Sequence, residues 1–430
     1  MEVIILGGGL AGLSTAYFLQ DKPNISRITI IEKEETAGGL CRSFGVNNIH
    51  YDIGPHIIFS KNQEVLNFIN NEILGSNTRK IKRSNMIIYD NKLIQYPFEN
   101  DLSKLGREMA GYCSHTFVNN PYKGMDVSNM LDFFLATFGL GITALYLSPY
   151  NHKIWKYPID EMDTQMVKRI PKPPASDIIR SAKGETIDGY LHQLFFTYPR
   201  QGGIQAITDN IISKFNDKVK LRCGEEVKSI KGRIIETNYN VYQAQKIIST
   251  IPMKELVRYY KTAPLWIKLC AKQLKHNSIY ISIVNVKKDY AGNHFAFMIP
   301  DSKVVFHRIS KLDFLGQSIN DSTTYMVEVT APAGSMVTGL RGKIIKGLLK
   351  IGFIKSKNDI NFIKTKYFSH AYVIYNLQHK DITTRIKEFF NAEGIELTGR
   401  VGSHQYLNMD AVIAEAKKLA DSLGNQQTRT

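Results

Sequence analysis

The chain has little cysteine, and what it has is not placed to cooperate. Cys41, Cys113, Cys223 and Cys270 are the only four in 430 residues. No Cys-x-x-Cys pair occurs, so neither a disulfide framework nor a metal site is expected, and a reducing cytoplasm fits. Acid is the scarcer charge: 39 Asp and Glu stand against 55 Lys and Arg, a formal net charge of +16. The plainer reading of that excess is a solvated lysine-rich surface; the sharper one is a field that attracts phosphates. There is no basic run with interleaved aromatics, so nucleic acid is not an expected partner. A clean apolar span of about 20 residues is also missing. The most apolar stretch, residues 130–150, contains Asp132, two glycines and a proline. It reads as a buried helix, with weak membrane association as a lesser alternative and no transmembrane segment. Repeats, low-complexity tracts and a leader before the first strand are likewise not expected.

What is present begins at once. Val3-Ile4-Ile5-Leu6 is followed by Gly7-Gly8-Gly9-Leu10-Ala11-Gly12, then by a second apolar run ending at Glu32. This predicts a strand, a Gly-x-Gly-x-x-Gly turn, a helix, and a strand with an acid at its end. Gly7 allows the tight turn, Gly9 lets backbone approach a pyrophosphate, and Gly12 lets the helix pack closely on the sheet. N–H groups at the helix start then face the phosphates. Glu32, twenty residues after Gly12, suits a ribose diol. A packing turn without a ligand is the plainer alternative. After Glu32 come Lys33-Glu34-Glu35-Thr36-Ala37-Gly38-Gly39-Leu40-Cys41-Arg42, a continuation typical of flavoproteins holding extended FAD. No second Gly-x-Gly-x-x-Gly follows, so a separate nicotinamide domain is not expected.

At 430 residues, 43% apolar and 22% charged, the chain can bury a large core and should form two or three lobes. Residues 1–75 begin the FAD-binding lobe and 76–200 form a mainly helical insertion. Residues 201–255 return to the first lobe, through a strand at 223–228 and a parallel strand at 246–252. Residues 256–390 supply a substrate-domain sheet and helices, with alternation at 278–285 and 324–330. Residues 391–430 close the FAD lobe with a helix at 410–423 and a frayed tail. The expected class is α/β: a Rossmann-like FAD-binding domain, an inserted helical domain and a sheet-containing substrate domain.

Later blocks carry a family resemblance. Tyr51-Asp52-Ile53-Gly54-Pro55-His56, Tyr96-Pro97-Phe98-Glu99-Asn100 and Pro149-Tyr150-Asn151-His152-Lys153-Ile154-Trp155 occur in order. Arg169 stands fourteen residues after that Trp, then come Phe306-His307-Arg308-Ile309 and Gly399-Arg400-Val401-Gly402-Ser403-His404-Gln405-Tyr406-Leu407-Asn408-Met409-Asp410. Together these resemble UDP-galactopyranose mutases, especially the eukaryotic type, within the clan of amine-oxidase-like and protoporphyrinogen-oxidase-like flavoproteins. The resemblance implies a pyranose–furanose mutase of sugar nucleotides that uses N5 of reduced FAD as nucleophile. It implies a role in cell-surface glycan biosynthesis, an external reductant such as NADPH or NADH, and is compatible with a homo-oligomer. An FAD oxidase or dehydrogenase is the alternative reading; a flavin-binding protein without catalysis is a third.

The resemblance also implies roles. Arg169 and Arg308 would clamp the pyrophosphate, with phenolic donors from Tyr372 and Tyr406. His56 would sit against the isoalloxazine, and Arg400 would stabilise its reduced anion. Tyr96, Phe98, Glu99, Tyr150, Asn151 and Trp155 would shape the nucleotide and sugar pocket. FAD would be held by Gly7, Gly9, Leu10, Ala11, Gly12, Glu32, Lys33, Gly39, Leu40, Gly54, His56, Val227, Gly399, Arg400, Asn408 and Met409. Plainer readings exist: core aromatics for Tyr150, Trp155, Tyr372 and Tyr406, a helix-end cation for Arg169, a solvated strand face for Arg308. His56 could be a simple turn residue. Three departures from the mutase pattern stand out. Glu99 replaces a Gln expected to meet uracil, Met298 stands where a tyrosine is expected, and Asn408 replaces a carboxylate. The segment 195–203 is closer to the oxidase-like clan.

Overall fold

The structure, a computed structural model, describes residues 1–167, 170–185, 187, 194–319 and 321–425. Its founding unit is the strand Glu2–Leu6, flanked in parallel by Arg27–Ile31 and Lys246–Ser249. Val219–Arg222 and Ile395–Leu397 complete a five-stranded parallel sheet at its two edges. The central strand is apolar without alternation because both of its faces are covered. On one face the helix Leu10–Leu19 packs against the last helix, Met409–Gly424. That first helix has no polar side; even Ser14 and Thr15 are buried, and Thr15 donates to the Ala11 carbonyl at 2.7 Å.

The strand expected at 223–228 is displaced. The parallel strand ends at Arg222, a turn follows, and Val227–Lys231 opens a separate three-stranded antiparallel sheet. The turn is held by the Glu225 carboxylate, which accepts from Thr237 Oγ1, Asn240 Nδ2 and Tyr242 Oη at 2.7, 3.0 and 2.9 Å. The strand Lys246–Ser249 runs parallel to Glu2–Leu6, and the chain then passes beside the first glycine turn, where Thr250 Oγ1 donates to Leu6 O at 2.9 Å.

A seven-stranded mixed sheet runs Ile360–Ile374, Lys275–Val286, Thr323–Pro332, Arg308–Lys311, Ala296–Met298, Asn85–Tyr89, Lys92–Gln95. Its last two strands come from the segment expected to be a mainly helical insertion. That segment is helical only in its interior; its margins, Thr78–Lys82, Asn85–Tyr89, Lys92–Gln95 and Phe195–Pro199, are strands. Asn85-Met86-Ile87 is drawn into the sheet by parallel pairing with Ala296–Met298.

The apolar stretch is helical over Met130–Ile142 and continues through Thr143–Leu147 into Ser148–Trp155. Among the described residues, Met130–Trp155 is the one helix long and apolar enough to cross a membrane. Here it breaks at Gly139, whose φ is +71°. Met130, Phe134, Phe138 and Ile142 turn inward onto Phe98, Leu102 and Ile178. The break lies against the helix Arg107–Val118: a Cβ on Gly139 would collide with the Thr116 carbonyl. Gly139→Ala combines a left-handed backbone with that collision and should cost more than about 2 kcal/mol in urea unfolding; wild-type stability would contradict the packing described.

Candidate active site

One cavity of about 1210 Å³ runs from the glycine turns to the helical insertion and the large sheet. At its first end the wall is bare backbone. Gly9 and Gly38 face each other in a parallel bridge, Gly38 N donates to Gly8 O at 2.8 Å, and an ideal Cβ on Gly39 would lie 3.0 Å from Gly9 Cα. A Cβ on Gly12 would overlap the Gly7 carbonyl, which is why the helix can start so close to the turn. No side chain caps that helix at Gly9, so its first N–H groups remain available to an anion. Glu32 is buried at the same wall. Its carboxylate accepts from Gly8 N at 2.7 Å and Glu34 N at 2.9 Å, which fixes its direction. Lys33, Leu40, Val227, Asn408 and Met409 also line this part. This cradle fits an extended dinucleotide.

Midway, the loop carrying His56 is anchored by Asp52. Ser43 Oγ and Tyr198 Oη donate to its carboxylate at 2.6 and 2.7 Å, and Ile204 N donates at 3.1 Å. Burial lifts Asp52 to about 6 against these bonds. His56 Nδ1 is buried without a partner. Burial, then the nearby Arg400 and Arg308, push its imidazole down to about 3, so it stays neutral. Arg400 donates to Ala371 O at 2.9 Å and Leu407 O at 3.3 Å, while its Nε is buried without a partner. Its guanidinium lies 4.2 Å over the Tyr406 ring, and no carboxylate among the described residues pairs with it. Two orphaned nitrogens on the wall next to the cradle are what a flavin ring system with hydrogen-bonding edges would satisfy.

The far end is aromatic and cationic. Asn277 Nδ2 caps the helix Ser148–Trp155 through the Ile154 and Trp155 carbonyls at 2.9 and 2.8 Å, and buried Lys153 ties it to the Ile299 and Asp301 carbonyls. That fixes Trp155, whose Nε1 donates to Asn151 Oδ1 at 2.9 Å. Trp155 meets Tyr372 and Tyr406 edge-on at 5.8 and 6.0 Å, and those two rings stack at 5.9 Å. Burial pushes the Tyr150 and Tyr372 phenols up, despite Arg308, so both remain donors. Arg308 is paired: its Nε and Nη2 donate to the two oxygens of fully buried Glu328 at 2.5 and 2.7 Å. Burial opposes the charge on Arg308, but Glu328 more than offsets this and holds the guanidinium charged.

The site residues inferred from sequence mostly line this one chamber, with exceptions. Phe98 lies behind the wall, fully buried and stacked on Tyr146 at 4.9 Å, so it supports the pocket without facing it. Gly12 and Gly399 also lie behind the lining; a Cβ on Gly399 would collide with Ala11. Arg169 lies outside the described residues. Arg308, read as one of two clamp arginines or as a solvated cation, is half-buried and paired with fully buried Glu328. Met298 stands opposite Arg308 across the sheet, at the cavity wall. Two charged residues were missed. Glu328 faces Arg308 in register, and its signal was a lone carboxylate in an apolar alternating strand. Arg83 lines the cavity beside Phe59, 4.9 Å from its ring, with Nε and Nη2 unpartnered. It was hidden in the basic run 79–83, which reads as a solvated strand.

Comparison with known proteins bears on the fold. Residues 5–71 match the NAD(P)-binding Rossmann-like domain family. UDP-galactopyranose mutase of Mycoplasma genitalium is 21% identical, over 98% of this chain and 94% of that one. The chain resembles UDP-galactopyranose mutases from end to end. The crystal structure of a reduced UDP-galactopyranose mutase superposes with a TM-score of 0.89 at 20% identity, covering 100% of this chain and 94% of that one. A protoporphyrinogen-oxidase candidate from Exiguobacterium sp. 255-15 superposes at 0.79, with 16% identity and 99% coverage of both chains. The fold is therefore that of mutase-like flavoproteins, shared with oxidase relatives.

Glu99 yields a direct test. Burial raises its carboxyl from 4.5 to about 7. Between those values the folded chain keeps a proton that the unfolded chain has lost, so raising pH favours unfolding and the penalty is complete above about 7. In the ligand-free protein, Glu99→Gln should match wild type near pH 4 and be more stable by about 1–3 kcal/mol near pH 8. A difference independent of pH would contradict the shift.

Proposed function

We propose that the protein is an FAD-dependent sugar-nucleotide mutase that interconverts pyranose and furanose rings. The observation that carries this is the far end of the cavity, where a guanidinium held flat by Glu328 and protonated tyrosines face one chamber. Such a set suits the paired oxygens of a diphosphate. The end-to-end similarity to mutases supports it. FAD would lie along Gly7, Gly9, Glu32, Gly39 and Val227, with its ring system near His56 and Arg400. In its reduced form the flavin supplies a nucleophilic nitrogen, N5, for the anomeric carbon.

The chain's own residues would do the rest. With Nε and Nη2 spent on Glu328, Arg308 would offer Nη1 to the leaving diphosphate. Tyr150, Tyr372 and Tyr406 would donate phenolic protons to it, keeping it bound while detached. Arg169 sits in sequence between Val167 and Ile170, which line the cavity, and would add a second cation. Neutral His56 would take one hydrogen bond at the flavin without adding charge. Arg400, with no carboxylate partner among the described residues, would favour an anionic reduced ring. The Trp155–Tyr372–Tyr406 cluster would exclude water. Glu99, protonated below about 7, would offer a donor and an acceptor as a glutamine does, so uridine remains a suitable base. A nicotinamide reductant and a cytoplasmic setting belong to the same proposal.

An oxidase is the second reading. Met130, Phe138, Leu147, Ile154 and Met166 form an apolar wall of the same cavity, which suits an apolar or amine substrate. One experiment separates the two. The dithionite-reduced and oxidised proteins are incubated anaerobically with UDP-sugars and other nucleotide sugars, and products are read by NMR. The mutase reading expects a furanose isomer from the reduced form alone. No conversion, with fast reoxidation by oxygen and no nucleotide binding, would overturn it in favour of an oxidase.

A further inference from the structure

The helix Leu265–Gln273 packs Ile267, Cys270 and Ala271 into the core below the nucleotide-binding sheet. Its other side is unusual. Leu265, Trp266 and Leu269 are 71%, 48% and 48% exposed. At relative positions i, i+1 and i+4 they form one apolar tip, and Trp266 is braced edge-on by Phe389 at 6.0 Å. Lys261, Lys268, Lys272 and Lys275 are exposed around it, and residues 261–275 contain no aspartate or glutamate. Among the described residues none of these lysines is in an ion pair. Isolated exposed apolar residues need no explanation, but three large ones on one side of a lysine-rich helix do.

We infer that this face docks on an anionic lipid surface, with Trp266 and the two leucines entering the headgroup boundary and the lysines meeting lipid phosphates. A basic helix with a Trp and Leu tip has the chemistry of an interfacial helix, and the chain's +16 charge adds long-range attraction. A second copy of the chain is a poorer occupant. A two-fold contact centred on this helix would set its lysines against their copies, and residues 261–275 supply no carboxylate to offset them. The patch adjoins Arg258 and Tyr259, which line the nucleotide end of the cavity, so docking would hold the bound enzyme's chamber close to the membrane.

Flotation of the full chain, loaded with its flavin, tests this on vesicles of phosphatidylcholine alone and with about 30% phosphatidylglycerol. The expected result is at least tenfold stronger partitioning onto the anionic vesicles, weakened by salt. Leu265→Ser, Trp266→Ser and Leu269→Ser combined should lower it tenfold or more, with unchanged flavin absorbance and melting temperature. The wild type gives an independent readout. The chain has two tryptophans and Trp155 is buried, so quenching by brominated lipids reports Trp266. Equal partitioning onto both vesicle types, no quenching, or partitioning unaffected by the triple variant would each overturn the inference. A dimer in light scattering that the triple variant abolishes, without lipid binding, would overturn it in favour of self-association.

Discussion

An ion pair between fully buried Glu328 and half-buried Arg308 sets the terms for the cavity. Glu328 is fully buried in the middle of the seven-stranded sheet and faces Arg308 in register across neighbouring strands. Desolvating the carboxylate fully and the guanidinium in large part is expensive, and an apolar pair of similar volume is often at least as stable. The pair is therefore poorly explained as a contribution to folding. It is well explained as a way to hold a guanidinium at a wall, charged and unable to swing away. Its neighbours conform to it. Gly54 passes above it, where a Cβ would lie 3.4 Å from Glu328 Oε2. Met298 fills the opposite register position without adding charge. His56 is kept neutral first by its burial and then by the charges of Arg400 and Arg308 beside it.

The rest of the chamber divides its work by chemistry. One end presents bare backbone at its glycine turns, so a phosphate chain can approach N–H groups closely. The other end is side chain throughout, with rings locked by Asn277, Lys153 and each other, so that donors are fixed before a ligand arrives. The fold joins the ends by topology. The first sheet carries the glycine turns, the second carries Arg308, and the segment 399–409 closes back over both. Pre-positioned donors of this kind cost little to reorganise during a reaction.

Much of this was legible in the sequence, for physical reasons that can be named. The first βαβ unit was plain because each glycine answers a steric demand and the flanking runs are apolar. The alternation at 278–285 and 324–330 marked two strands of the large sheet, and the last helix was visible from its period. Other features were not legible. A residue's distant neighbour is set by register, so Arg308 alone did not reveal Glu328. Arg83 was disguised by Arg79, Lys80 and Lys82. The strands at the edges of the helical insertion were missed because their pairing is mostly distant in sequence: Asn85–Tyr89 joins Ala296–Met298, and Thr78–Lys82 joins Phe195–Pro199 across the whole insertion. Phe98 was placed in the pocket because motif neighbours tend to share a site, whereas its ring turns inward onto Tyr146.

The central claim, that the Arg308–Glu328 pair exists to hold a diphosphate, is tested most directly by uncoupling it from folding. Replacing Arg308 by Ala alone would strand a buried carboxylate and confuse stability with binding. The double variant Arg308→Met with Glu328→Gln removes both charges and keeps volume. Its affinity for UDP should be measured by calorimetry against wild type, with flavin content and melting temperature as controls. The account predicts a loss of roughly 1.5–3 kcal/mol, the range for charged hydrogen bonds, in a chain that still folds and binds flavin. Unaltered UDP affinity in that variant would contradict it.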